Sequence, residues 1–531
     1  MKILKLSSLS LLSMLVLAGC GATKNAVAPV ISIENLALKN APIKENDLKR
    51  WSHLDILKDT IPGMSVDKAY SELLKNKKGT KVIVGVVDSG VDIEHPDLQG
   101  VIWTNNKEIA GNAIDDDNNG YIDDVHGWNF LGDIGGENLE MTRIVKKGDD
   151  GSATYKKAKA EFDKEIKEAT AQKQQFDFIY NADKAIRTEL KKENYSLDEL
   201  KSLNSSNALI NQVKPRFIQI LTNVPKSEFD EQIKEAKEHF DNQLEYNLNL
   251  EFNGRKVLGD NIDDLKDTKY GNNNVIGPEK KGALHGTHVA GIIAQVRNNG
   301  LGGDGVANNV EIMAVRAVPD GDEYDKDIAL GIRYAVDNGA KVINGSFGKS
   351  YSPHKEWVYD ALKYAASKDV LVVLAAGNEG ADLDTEDRYP NDRNASGEVS
   401  DNVIKIGALD AKYGSDLVAN FSNYGTQDVD VFAPGVQIYA TIPDNQYKYL
   451  AGTSMASPNV AGVAALIRSY YPTLTAPQVK QILMDSGIPT NIEVVLAGEK
   501  ANKRSFSKVS KSGKMVNAYN ALLMAEKMAK K

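Results

Sequence analysis

A chain of 531 residues is longer than one ordinary domain, and its 42% hydrophobic and 26% charged residues are those of a folded globular protein with a large core. The net charge of −9 argues against nucleic acid as the main partner, because phosphate binding calls for a basic surface. The single cysteine, Cys20, excludes an intramolecular disulfide, so the core and any bound metal must supply the stability.

The N-terminus has the pattern of an export signal. Lys2 and Lys5 flank the start of a short apolar stretch, residues 6–17, which is too short to span a bilayer comfortably, and Ala18-Gly19 supply the small residues before a cleavage point. Leu17-Ala18-Gly19-Cys20 resembles a bacterial lipobox. The resemblance implies removal of residues 1–19, lipidation of Cys20 and a lipid-anchored place in the cell envelope. Gly21, rather than an acidic residue, follows Cys20 and favours the outer membrane. Residues 20–50 read as a polar tether. No later segment is long and apolar enough to read as a transmembrane helix.

Residues 81–87 (KVIVGVV) form a short, nearly continuous apolar run rich in β-branched residues, the signature of a strand buried on both faces. Similar runs recur at 311–318, 341–344, 370–376, 403–408 and 429–433. Helical spacing occupies 285–297, 326–338, 354–367 and 454–470. Strand alternating with helix predicts an α/β fold with a doubly wound, mainly parallel sheet and helices on both faces. Ligands of such sheets bind at the carboxyl ends of the strands, and Asp88 and Asn378 fall there.

Between these elements the character changes. Residues 136–253 are rich in Lys, Glu, Gln and Asn and poor in strand signals, with helical spacing at 158–173, 183–192 and 226–250. They read as a helical insertion, of unknown partner, that splits one domain into 51–135 and 254–497. A basic segment, 498–531, ends in a helix expected over 516–528.

Three segments carry reactive side chains: Asp88-Ser89-Gly90, His285-Gly286-Thr287-His288 and Gly452-Thr453-Ser454-Met455-Ala456-Ser457-Pro458. Taken singly, each has a plainer reading. Ser454 could be a helix N-cap. His285 and His288 share a helix face and could be a metal pair, although the His-Glu-x-x-His order is missing. Asp88 could be a turn residue, with Asp92 and Asp97 as rivals. Together they resemble the subtilisin-like serine proteases, the subtilase family, in residue type, local sequence and the order Asp, His, Ser. The resemblance covers about 51–131 and 255–487.

It implies a serine endopeptidase acting on protein or peptide substrates through an acyl-enzyme. Ser454 would be the nucleophile, His285 the general base and Asp88 the group that orients the imidazole. Asn378, in Ala375-Ala376-Gly377-Asn378, would hold the oxyanion together with the Ser454 backbone N–H. Ser346-Phe347-Gly348 resembles the family's substrate-binding strand, and with Ala375, Ala376 and Gly377 would border a pocket with room for a large apolar side chain. The alternative is a non-catalytic surface scaffold or adhesin that binds through the insertion. Little room remains for a folded prodomain before residue 51.

The acidic run at 115–124 matches calcium-loop spacing in part. Asp115, Asp117, Asn119, Tyr121 and Asp123 are candidate ligands for Ca2+, but His126 stands where such a loop carries its bidentate glutamate. A Gly-x-Gly-x-x-Gly match at 300–305 lies between a helix and a strand, the reverse of the order a dinucleotide site needs.

Overall fold

The computed structural model describes Ile33 and residues 43–530, so the export signal, Cys20 and most of the tether lie outside the described residues. Nine strands make one sheet: β1 (Val82–Asp88), β2 (Gly127–Asn129), β3 (Val310–Arg316), β4 (Val342–Gly345), β5 (Leu371–Ala375), β6 (Val403–Leu409), β7 (Val431–Pro434), β8 (Ile488–Pro489) and β9 (Lys514–Met515). Their order is β8-β9-β7-β6-β5-β4-β1-β3-β2. All neighbours run parallel except β8 and β9.

The near-continuous apolar runs follow from this burial on both faces. Val84, Val86, Ile312 and Ile404 face helices Leu284–Ala294 and Thr453–Tyr470. Val87, Val315, Ile343 and Val372 face helices Asp325–Asp337 and Lys355–Ser367 on the other side. The chain leaves β1 towards β3 and leaves β4 towards β5. The strand order therefore reverses between β1 and β4, and a crevice opens beyond their carboxyl ends. Asp88 ends β1, Ser346 follows β4, and Asn378 comes three residues after β5.

Residues 136–253 fold mainly as helices: Glu140–Lys147, Ala153–Leu190, Leu197–Ser202, Ala208–Asn223 and Lys226–Asn242. Ile186, Leu200, Ile210, Phe217 and Phe229 form an apolar cluster of their own. Two differences from the sequence reading stand out. The stretches expected at 158–173 and 183–192 are one helix, because buried Phe176 and Ala182 carry the apolar stripe across the gap. Helix Ala208–Asn223 was not anticipated; it contains Pro215, yet buries Ile210, Val213, Phe217 and Leu221 on one face.

The helices touch segments that flank the crevice. Glu161 accepts a hydrogen bond from Tyr351, three residues past Gly348, while Glu238 pairs with Lys281 at 2.8 Å and Glu235 with Lys448. The C-terminal segment is woven into the sheet domain. Residues Glu499–Ser505 form a hairpin with Glu493–Leu496, β9 joins the sheet, and helix Ala518–Ala529 buries Ala521, Leu522 and Ala525 in the main core. Among the described residues no helix is long and apolar enough to cross a membrane.

Candidate active site

Asp88 is buried at the end of β1, and His285 is the second residue of its helix. His285 Nδ1 stands 2.7 Å from Asp88 Oδ1, with the imidazole donating. Glycine makes this approach possible: a Cβ at Gly286 would stand 2.1 Å from the Gly90 carbonyl oxygen. Two further bonds lock the loop to the helix. Gly286 N–H donates to Ser89 Oγ at 3.3 Å, and Asp92 N–H donates to Thr287 Oγ1 at 2.8 Å. Burial pulls the His285 imidazole down, but the Asp88 charge and its hydrogen bond outweigh that, and the net shift is upward from 6.5. Among the described residues Asp88 Oδ2 is buried without a hydrogen-bond partner.

His288 takes no part in this pair. It is fully buried, and its Nε2 contacts the Lys448 carbonyl oxygen at 3.0 Å. Burial above all pushes its pKa down to about 4, so it is neutral at ordinary pH.

Ser454 is the second residue of helix Thr453–Tyr470, where a backbone N–H has no intrahelical acceptor. Its Oγ donates to the Ser346 carbonyl oxygen at 3.3 Å, and no hydrogen bond joins it to His285 among the described residues. Catalytic contacts of this kind often tighten only when substrate is bound. Pro458 explains a further contact. It has no N–H to offer the carbonyl four residues back, so the Ser454 carbonyl is left free for Ser346 Oγ, which donates to it at 2.9 Å. Asn344 donates to Ser346 Oγ at 2.9 Å, and Ser457 donates to Asn344 Oδ1 at 2.8 Å. This buried chain fastens the Ser454 helix to β4.

Asn378 Oδ1 accepts from Thr453 N–H at 2.8 Å and from Thr453 Oγ1 at 3.0 Å. With the oxygen so engaged, the amide N–H2 is left facing the crevice as a donor. Asn423 braces the loop: its Nδ2 donates to the Ala376 carbonyl at 2.9 Å, and its Oδ1 accepts from Ala381 N–H at 2.8 Å. Thr453, Ser457, Asn344 and Asn423 escaped the sequence reading. Thr453 and Ser457 lie in the Ser454 motif, which was the signal that could have found them.

Beside Ser454 lies a cavity of about 80 Å³. Phe347, Gly348, Ala375, Ala376 and Gly377 line it, whereas Ser346 hydrogen-bonds to the Ser454 carbonyl. Lys349, Arg388 and Lys405 line it too, and none was anticipated. The pocket is therefore less apolar than its small residues suggested.

In the acidic loop, Glu108, Asp115 and Asp117 bring carboxylate oxygens within 4.8 Å of one another. Glu108 lies outside the loop spacing, which is why spacing alone could not find it. These three carboxylates already accept backbone N–H bonds within the loop: Glu108 from Asp116, Asp117 and Asp123, Asp115 from Asn119 and Gly120, and Asp117 from Asn119. The Asp123 carboxylate accepts from Gly111 and Ala113 N–H, both at 2.8 Å, and Asn119 Oδ1 accepts from Tyr121 N–H at 2.8 Å. The Tyr121 ring packs edge-on against Trp128 and Tyr334. Three carboxylates are a hard, all-oxygen donor set, which fits calcium and not a nitrogen- or sulfur-seeking metal.

Comparisons with known proteins place the chain in a family. The model of the Subtilase family, Peptidase S8, matches residues 79–511. The chain belongs to that family, the subtilisin-like serine proteases. It is 50% identical over 186 residues to a thermophilic serine proteinase of Bacillus sp. strain AK1, covering 35% of this chain and 42% of the relative. It is 41% identical over 215 residues to subtilisin DY of Bacillus licheniformis, covering 39% and 71%, and 42% identical over 191 residues to thermitase of Thermoactinomyces vulgaris, covering 36% and 63%. The chain thus spans less than two thirds of the length of two of these three relatives. A solved protease of Pseudoalteromonas arctica matches 45% of this chain and 70% of its own at 31% identity, with a TM-score of 0.37.

Proposed function

We propose that the protein is an endopeptidase that cuts peptide bonds through an acyl-enzyme. Ser454 Oγ attacks the carbonyl carbon while His285 Nε2 takes its proton. Asp88 fixes the imidazole tautomer through the Nδ1 hydrogen bond and stabilises the imidazolium. The oxyanion receives hydrogen bonds from Asn378 Nδ2 and Ser454 N–H. His285 returns the proton to the leaving amine, and water then attacks the ester by the same route. The observation that carries this reading is the 2.7 Å pair between His285 and buried Asp88, beside the crevice that Ser454 lines. The test is Ser454→Ala, assayed on casein at matched folded concentration. Loss of nearly all hydrolysis is expected, and wild-type rates would end the assignment.

Calcium is the ion best suited to Glu108, Asp115 and Asp117, where it would neutralise three adjacent carboxylates and tie the loop together. The lipobox-like Leu17-Ala18-Gly19-Cys20 supports a lipid anchor on Cys20 and a place in the bacterial envelope, with the outer membrane favoured. Palmitate labelling that persists in Cys20→Ser would exclude that anchor. Residues 136–253 touch segments that flank the crevice and restrict the access of bulky substrates.

A further inference from the structure

The cavity beside Ser454 carries more positive charge than its small residues suggest. Lys349, Arg388 and Lys405 line it, against the single carboxylate of Glu379. The three cations differ in how far their charge is already used. Lys349 Nζ is fully engaged, with Glu140 Oε2 at 3.0 Å, Asp325 Oδ1 at 2.9 Å and the Glu323 carbonyl at 2.7 Å. Arg388 is partly engaged. Its Nη2 donates to exposed Glu386 at 3.2 Å and its Nη1 to the Asp387 carbonyl at 2.9 Å, while its Nε is buried with no hydrogen bond among the described residues and stands 3.6 Å from Glu379 Oε2. Lys405 is only 2% exposed, and among the described residues its Nζ makes no hydrogen bond or ion pair.

A buried ammonium without a partner is costly, and it persists where something else completes it. Lys405 sits on β6 opposite Leu374 of β5, an apolar neighbour, and on its other side lies beside Asp430, just before β7. Four carboxylates, Asp392, Asp428, Asp430 and Asp387, are close enough to act on it through space. None of them reaches it with an oxygen; Asp430 spends Oδ2 on the Lys405 backbone N–H at 2.8 Å and turns Oδ1 towards Lys480 and Lys511. A large apolar side chain entering the cavity would bury that ammonium further. A carboxylate would give it, and the Arg388 Nε that Glu379 approaches only to 3.6 Å, charge-assisted hydrogen bonds.

We infer that the pocket selects an acidic side chain, glutamate or aspartate, at P1, the residue whose carbonyl Ser454 attacks, with Lys405 and Arg388 as the recognising groups. The inference rests on the endopeptidase reading above and names its substrate class.

The full chain is assayed on tetrapeptide p-nitroanilides identical except at P1: Glu, Asp, Phe and Leu. kcat/KM for the better acidic peptide should exceed that for Phe and Leu by about 10- to 100-fold, the range of one charge-assisted hydrogen bond. Lys405→Met and Arg388→Gln should each lower that ratio about 10-fold or more. Arg388 lies nearer the surface, so its variant and the wild-type profile decide the matter if Lys405→Met does not fold. A wild-type preference for Phe or Leu overturns the inference and leaves the endopeptidase reading standing. So does an Arg388→Gln enzyme that keeps the wild-type Glu:Phe ratio. Failure to cleave any of the four peptides, together with a Ser454 inert to fluorophosphonate, removes the endopeptidase reading itself.

Discussion

Replacing Asn378 by Ala removes one hydrogen-bond donor from the crevice and leaves its neighbours almost untouched. The side chain is exposed, and among the described residues its hydrogen bonds are the two that Oδ1 accepts from Thr453 N–H and Oγ1. Thr453 N–H opens a helix and can turn to water, so the fold loses little. The lost Nδ2 donor faces the oxyanion, which exists only along the reaction path. The cost should therefore fall on kcat and spare KM. A donor of this kind is worth about 2.7–4 kcal/mol, or about 100- to 1000-fold in kcat, a range established on a subtilisin and borrowed for this family member. Thr453→Val tests the mechanism of aim. It deletes the 3.0 Å hydroxyl bond to Asn378 and the 3.0 Å bond that Gly377 N–H gives the same hydroxyl, but keeps the Thr453 N–H contact. With one anchor of two left, Asn378 should lose only part of its effect, about 1 kcal/mol or roughly fivefold in kcat. The assay is steady-state hydrolysis of a chromogenic peptide, with folding checked by thermal melting. An Asn378→Ala enzyme with unchanged kcat, or one whose loss lies wholly in KM, would refute the oxyanion role.

Three other outcomes follow from the same geometry. Because His285 must be neutral to accept a proton and Asp88 lifts its pKa above 6.5, wild-type kcat/KM should fall as pH drops through a value above 6.5. In Asp88→Asn the lifting charge is gone and burial acts alone, so that limb should move to lower pH while kcat falls by about 10⁴, as in other triad proteases; a limb that stays put would separate Asp88 from the imidazole. EGTA should lower the melting temperature and added calcium restore it, by about 2.7 kcal/mol at a hundredfold excess over Kd, and Asp115→Asn with Asp117→Asn should abolish the difference; identical melting with and without chelator would make the loop an ordinary turn. Replacing 136–253 by a short Gly/Ser linker should spare the hydrolysis of small chromogenic peptides and raise that of folded proteins, and a trimmed enzyme that treats both as before would show that the helices do not restrict access.

The strands were legible because burial on both faces leaves a mark in one dimension: an unbroken β-branched run such as Val82–Asp88 has few other uses. The Asp88–His285 contact was legible because such a pair demands particular neighbours, as Gly286 beside His285 illustrates. Strands β8 and β9, two residues each, were not, since no periodicity survives in so short a piece. The packing of helix Ala518–Ala529 into the main core was equally hidden, because an amphipathic stripe does not say what it will meet. Lys405 shows the same limit at the site. Within Val-Ile-Lys-Ile-Gly-Ala-Leu it looks like one polar interruption of a strand, and only the sheet order, with β6 beside β5, brings it to the cavity that Ser454 lines. The resting contact of Ser454 with Ser346 depends on Pro458 freeing a carbonyl four residues back, a consequence of helix register that the motif did not announce.

The central claim is that Ser454 is a nucleophile made reactive by His285. It is tested most directly by incubating the folded chain with a fluorophosphonate and mapping the adduct by peptide mass spectrometry, with His285→Ala alongside. The account predicts one adduct on Ser454 with loss of peptidase activity, and little labelling in His285→Ala. A folded wild-type chain that takes no label, or takes it on another serine, would contradict the account and favour a binding scaffold.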